Sequence, residues 1–202
     1  MIKLHGIYRS RAFRPLWLLE ELEVPFEQVP VDFRQGETHH PDFLALNPNA
    51  HVPVLEDDGF VLWESMAINF YLAEKFGGPI WPDSARERGL CHQWTFWVMT
   101  EVEKPLLNLL WHAALLPEEK RDPEKVRANT ETLQGPFAVL NAALADRAYL
   151  LGDNFTLADL NVAAVFSWAR AARMEMAPYP HLSAWLKNCL SRPARKKAAL
   201  RA

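Results

Sequence analysis

Three short stretches within the first 65 residues put reactive or ligand-binding groups where backbone chemistry would use them. Ser10 follows an apolar segment and precedes an amphipathic run, so its hydroxyl stands at an expected helix start. Glu64-Ser65 opens a second such run. The free N–H groups and dipole at a helix N-terminus bind a carboxylate. Between them, Val52-Pro53 begins a brief apolar run, Val52 to Leu55. A proline there cannot donate to a β-ladder. A cis bond would accommodate it, turning the Val52 backbone toward solvent and offering its N–H and C=O to a peptide-like ligand.

Other reactive types are poorly placed. Glu101 and Glu103 resemble a carboxylate pair, but no histidine sits at ligand spacing, so no metal site is expected. Cys91 and Cys189 form neither a disulfide framework nor a CxxC pair and read as buried structural thiols.

The elements that must position these groups follow from apolar spacing and turn residues. Residues 2–7 read as a strand, 10–23 as a helix stopped by Pro25, and 26–33 as a second strand. Pro41 to Leu46 is a short helical turn closed by Asn47-Pro48. Residues 52–63 form a hairpin around Asp57-Asp58-Gly59, and Ser65 to Phe76 is a helix ended by Gly77. The order β-α-β-α-β-β-α fits a small mixed sheet with helices on its faces.

Beyond Gly77-Gly78-Pro79-Ile80-Trp81-Pro82-Asp83 the pattern is helical throughout. Residues 84–116 form one helix kinked at Pro105. Asp122-Pro123-Glu124 starts another, which reaches about residue 146 and bends at Gly135-Pro136. Within residues 155–169 the run Val162-Ala163-Ala164-Val165-Phe166 is apolar nearly all round, so this helix is buried. Thr156 and Asp159 stand as its N-cap and N3 residues, with Phe155 and Leu160 at the staple positions.

Composition supports the same division. The chain of 202 residues is half apolar with a net charge of -3, which argues against disorder and against a dedicated nucleic-acid binder. Residues 1–83 carry 6 basic and 13 acidic side chains; residues 84–202 carry 16 and 12. Six of the eight tryptophans lie at or beyond position 81. The expected domains are 1–76 and 84–202, joined by a linker at 77–83. No apolar run is long enough to span a membrane, and the charged N-terminal stretch is not a signal peptide. A cytoplasmic protein is expected. The basic end, with Arg192, Arg195, Lys196, Lys197 and Arg201 and no acid, reads as a solvated tail.

In order and spacing the motifs resemble the cytosolic glutathione S-transferase superfamily, in particular its bacterial, serine-type members. The matching residues are His5-Gly6-x3-Ser10-Arg11-Ala12-x-Arg14-x-Leu16-Trp17-x-Leu19-Glu20-Glu21-Leu22, Asn47-Pro48-x3-Val52-Pro53-Val54-Leu55, Glu64-Ser65 and Phe155-Thr156-x-Ala158-Asp159. They extend over nearly the whole chain. The resemblance implies an α+β thioredoxin-like N-terminal domain, an all-α C-terminal domain and a homodimer.

It also implies roles. Glutathione would be the co-substrate, with its γ-glutamyl carboxylate at Ser65 and Glu64, and its cysteinyl backbone paired with Val52-Pro53. His51, His39 and His40 stand where relatives place cations or polar groups for the glycine carboxylate. Ser10 would donate to the sulfur and favour the thiolate, since a free thiol is mostly protonated at neutral pH. Tyr8 is the alternative donor. The pocket for the second substrate would involve Phe13, Trp97, Glu101, Trp111 and Trp168. The implied activity is thiolate attack on a small, mostly apolar electrophile, with no metal, membrane or nucleic acid involved. The alternatives are a non-enzymatic binding or regulatory protein of the same fold, and a glutathione-dependent isomerase or peroxidase.

Overall fold

A computed structural model describes residues 1–201. Two compact units emerge. One comprises Met1–Trp81 together with the chain from Ser191 onward; the other is Pro82–Leu190.

The first unit is built on a four-stranded mixed sheet. Strand β1 (Ile2–His5) runs parallel to β2 (Phe26–Val29) and antiparallel to β3 (Val54–Asp57), which pairs antiparallel with β4 (Phe60–Trp63), giving the order β2-β1-β3-β4. Ile2, Leu4, Val54 and Leu55 are buried at its centre. Asp58 and Gly59 both take positive φ, at 49° and 90°, as a two-residue hairpin turn requires. Helix α1 (Phe13–Glu21) is buried from Phe13 to Leu19. The short α2 (Pro41–Leu46) ends at Asn47, and α3 (Ser65–Phe76) stops at Gly77 with φ of 63°.

Several boundaries differ from the sequence reading. Strand β1 ends at His5 rather than residue 7, because Gly6 takes φ of 133° and leaves the strand. Helix α1 begins at Phe13, with Ala12 and not Ser10 as its N-cap. Residues 10–12 form a separate turn, closed by Phe13 N–H donating to Ser10 C=O over 3.1 Å. Strand β2 stops before Pro30, which has no N–H for the ladder. Residues 30–32, expected to continue the strand, are irregular, and a 3₁₀ turn, Phe33–Gln35, follows. The Val52–Pro53 peptide bond is cis, and the sheet register starts only at Val54.

The second unit is helical. Helix α4 (Ala85–Trp97) passes into a π-helical stretch, Val98–Glu103, then α5 (Lys104–Leu110), then a second π stretch, Trp111–Leu115. Pro105 therefore stands near the start of an α-helical segment. The wider turn before it relieves the clash of the ring with the preceding turn. Helix α6 (Pro123–Ala143) is capped by Asp122 and continues through Pro136.

Helix α7 (Leu157–Phe166) is buried along its whole length. Asp159 organises its start, accepting from Thr156 N–H at 3.0 Å, Leu150 N–H at 2.8 Å and Trp185 Nε1 at 2.9 Å. Burial still pushes its carboxyl above the ordinary range. The run breaks at Ser167, leaving α8 (Trp168–Ala171) as a separate turn. Helix α9 (Pro180–Ser191) follows; Asn141 Oδ1 accepts from the N–H groups of His181 and Leu182 at its start.

The last helix, α10 (Pro193–Ala199), corrects the reading of the basic end as a solvated tail. It packs on α1. Arg192 forms a two-pronged pair with Glu21 at 2.6 and 2.7 Å, while Lys197 and Arg201 pair with Glu20. Arg201 also stacks its guanidinium 4.1 Å from the Phe26 ring centroid. The sequence assigns residues 84–202 to one domain; these contacts instead join the residues after Ser191 to the acidic first unit. No helix among the described residues is long and apolar enough to cross a membrane.

Candidate active site

Gly6 is where the candidate site is tightest. A Cβ at this position would lie 2.6 Å from Ala12 Cβ, 3.3 Å from Val52 Cβ and 3.7 Å from Ser10 Oγ. The missing side chain is what lets the Ser10 turn close over the end of β1 and meet the Val52-Pro53 corner. The sequence reading treated Gly6 only as a motif member. Its signal was a glycine at the end of an apolar strand.

Ser10 is partly buried in that turn. Its hydroxyl donates to Ile7 C=O over 2.7 Å and accepts from Ala12 N–H over 3.1 Å. Thus Ser10 does serve a backbone N–H, as the cap reading expected, but within a tight turn ahead of the helix. The single hydroxyl proton is directed at Ile7. Tyr8, half-buried, meets Phe13 edge-on with ring centroids 4.9 Å apart. Phe13 is buried and stacks on Trp17 at 5.6 Å.

Glu64 and Ser65 stand at the start of α3. Glu64 is an exposed N-cap with φ of 74° and ψ of 113°, a left-handed conformation unfavourable for a side chain. Ser65 is buried. No acidic side chain occupies the first turn of this helix, so none of its own carboxylates opposes the positive end of the dipole.

Arg14 links the two parts. It lies on α1 with only 1% of its surface exposed, and its Nη1 donates to Ser65 Oγ over 3.0 Å. In the sequence this residue figures only as a member of the motif that runs from His5 to Leu22. The signal was available: Arg14 is the one charged residue in the run Ala12 to Leu19, on a helix otherwise apolar there. A buried cation in such a run needs a polar partner.

The three candidate histidines, His39, His40 and His51, lie at the surface. His51 is exposed, and its carbonyl accepts from Asn47 Nδ2 over 2.7 Å. That bond holds the turn leading into Val52. His39 and His40 precede α2 and are exposed; His40 Nδ1 lies 3.5 Å from Asp42, an ion pair only when the ring is protonated.

The remaining pocket candidates belong to the helical unit. Trp97 stacks on Phe166 at 6.4 Å and meets Trp94 edge-on at 5.1 Å. Trp168 is partly buried on α8, and Trp111 is 40% exposed. Glu101 is exposed on the first π stretch, beside Thr100, Lys104 and Asn108 in a polar cleft. Cys91 is buried; desolvation and the nearby Asp159 push its thiol up to about 12, which removes it from thiolate chemistry. No group of three His, Cys, Asp or Glu side chains among the described residues could hold a metal ion.

Known proteins share this fold. Residues 1–74 match the family model for the glutathione S-transferase N-terminal domain, and residues 102–193 match the C-terminal one. The chain is 34% identical to glutathione S-transferase GstB of Escherichia coli strain K12 over 204 residues, covering 99% of this chain and 98% of the relative. Among solved structures, a theta class glutathione S-transferase from Xanthomonas axonopodis pv. citri, with glutathione bound, superposes with a TM-score of 0.91. It is 32% identical, covering 100% of this chain and 98% of the other. Glutathione transferase F7 from Populus trichocarpa gives a TM-score of 0.90 at 33% identity, covering 99% and 98%.

Proposed function

The chain belongs to the glutathione S-transferase family, and from that premise we propose that Ser10 activates the glutathione thiol for attack on a small, mostly apolar electrophile. In glutathione transfer the thiol proton is lost to solvent. The sulfur forms a bond to the electrophilic carbon, and any leaving group departs with its electron pair.

The observation that carries this reading is the convergence at Gly6, where the Ser10 turn closes against Val52. There a hydroxyl and an extended piece of backbone come together, as recognition of a thiol-bearing peptide requires. To serve the sulfur, the Ser10 proton turns from Ile7 C=O, exchanging one acceptor for another. The Ala12 N–H keeps donating to Oγ and polarises it. Tyr8, on the same turn, is the alternative donor.

Ser65 and the first-turn N–H groups of α3 take the γ-glutamyl carboxylate, with Glu64 toward the ammonium group. Val52-Pro53 pairs with the cysteinyl unit. His51, with His39 and His40, serves the glycine carboxylate. Residues 1–76 thus form the glutathione module. Phe13 of the first unit, and Trp97, Glu101, Trp111 and Trp168 of the helical residues from 84 onward, are the candidates for contact with the second substrate.

A homodimer fits the surface. Phe60, Val61 and Trp63 of β4 and Phe76 of α3 are exposed apolar side chains on the first unit, as are Leu90 and Phe96 on α4 of the second. A second copy of this chain would cover them. Cys91 and Cys189, buried and not joined in a disulfide, suit a reducing compartment such as the cytoplasm. Titration calorimetry with glutathione tests the reading: saturable binding by the wild type, weakened in Ser65→Ala, is the expected result. No binding by the folded wild type would overturn it.

A further inference from the structure

Arg195 differs from its neighbours on the C-terminal segment. Arg192, Lys197 and Arg201 reach Glu20 or Glu21 on α1. Arg195 is partly buried and makes no ion pair or hydrogen bond among the described residues. Its Nε is enclosed without a partner. The guanidinium lies over the Phe13 ring, 5.9 Å from the centroid, and Phe13 in turn packs against Tyr8 on the Ser10 turn.

An enclosed guanidinium N–H without an acceptor is unfavourable, and an aromatic face offsets only part of that. The two carboxylates of α1, Glu20 and Glu21, are already committed to Arg192, Lys197 and Arg201. A group retained under these conditions calls for a reason, and binding an anion is one. Arg9 adds a second observation. It is exposed, directly precedes Ser10, and makes no hydrogen bond or ion pair among the described residues. The first unit thus keeps two uncommitted arginines, one directly before Ser10 and one against the aromatic pair beside it.

We propose that Arg195, assisted by Arg9, recognises an anionic group on the electrophile, so that the preferred second substrate is an aromatic or similarly apolar electrophile bearing a carboxylate or sulfonate. The proposal rests on the glutathione-transfer reading and deepens it. The planar fork of a guanidinium suits the paired oxygens of such a group, and half-buried Tyr8 gives the apolar body an aromatic surface to pack on. For an aryl chloride the reaction forms the C–S bond and breaks the C–Cl bond. Chloride leaves with the bonding pair, and the thiol proton passes to solvent.

The test compares a chlorodinitrobenzoate with the chlorodinitrobenzene that differs from it only by lacking the carboxylate. Rates are measured for wild type, Arg195→Met, Arg9→Gln and the surface control Lys3→Gln. Intrinsic reactivity cancels in the ratio of kcat/KM values. Arg195→Met is expected to lower the ratio for the carboxylate substrate about tenfold, Arg9→Gln about threefold, and Lys3→Gln not at all. Binding of unreactive dinitrobenzoate to the wild type, followed by tryptophan quenching and weakened by salt, gives a readout independent of how the variants fold.

Turnover of both substrates with ratios unchanged in the arginine variants would overturn the proposal and leave glutathione transfer standing. An equal loss with both substrates, carried in the KM for glutathione, would assign Arg195 to glutathione and also overturn it. Absence of turnover with either substrate, in a wild type that fails to bind glutathione, would remove both readings together.

Discussion

Arg14 Nη1 donates to the Ser65 hydroxyl over 3.0 Å, with both residues buried, so the helix that follows the Ser10 turn is tied directly to the first residue of α3. Ser65→Ala leaves a buried cation short of one acceptor. Stability should fall by about 1–3 kcal/mol. The KM for glutathione should rise about tenfold with a smaller change in kcat, because the lost hydroxyl serves binding. Denaturant melts and steady-state kinetics on the same preparation measure both.

Gly6→Ala brings a new Cβ within 2.6 Å of Ala12 Cβ at a backbone φ of 133°. The expected cost is about 2–4 kcal/mol, from overpacking and from φ together. Gly36 also has positive φ, at 79°, but nothing lies within 4 Å of a Cβ added there. Gly36→Ala should therefore cost only about 1–2 kcal/mol. Thermal melts of the two variants separate the close approach at the candidate site from backbone preference alone.

Glu21 accepts from Arg192 through both oxygens and from Trp17 Nε1 at 2.9 Å, with 8% of its side chain exposed. Glu21→Gln should destabilise the first unit by about 1–3 kcal/mol. Exchanging the charges in Glu21→Arg with Arg192→Glu should recover part of the loss. Deleting residues 191–202 should exceed any single substitution here, since it removes the partners of both Glu20 and Glu21. Urea melts give the ranking.

Asp57 sets an acid limit. The Lys75 ammonium first, and then the Tyr71 hydroxyl, hold its buried carboxyl below the ordinary range. A carboxyl lowered in the folded state stabilises the fold above its unfolded value of about 3.9, and that contribution is lost as pH falls through the folded value. Asp57→Asn should be less stable than wild type at neutral pH, with the gap closing in acid. Melting temperature against pH shows whether the two curves converge.

The division into a mixed α/β part and a helical part was legible because it rests on apolar periodicity and turn residues, both local. Asp57-Asp58-Gly59 and Asp122-Pro123-Glu124 announced their turn and cap in the same way, and the structure carries both. The start of α1 was misread because Ser10 has the side chain of an N-cap, yet the Gly6 contact draws residues 10–12 into a turn of their own. The basic end looked solvated because its partners, Glu20 and Glu21, lie about 170–180 residues earlier. The role of Arg14 is hidden in the same way, since its partner Ser65 is 51 residues away. Contacts of that separation leave no periodic trace in the chain.

The central claim is that the Ser10 hydroxyl stabilises the thiolate of bound glutathione. The most direct test is the pH dependence of kcat/KM for glutathione conjugation of a generic aryl halide, in wild type and Ser10→Ala. The wild type should show a bound-thiol pKa well below the free value of about 8.5. Ser10→Ala should return it toward that value and lower the rate at neutral pH by at least about tenfold, while glutathione still binds. An unchanged profile and rate in Ser10→Ala, with loss of both in Tyr8→Phe, would contradict the account and move the role to Tyr8.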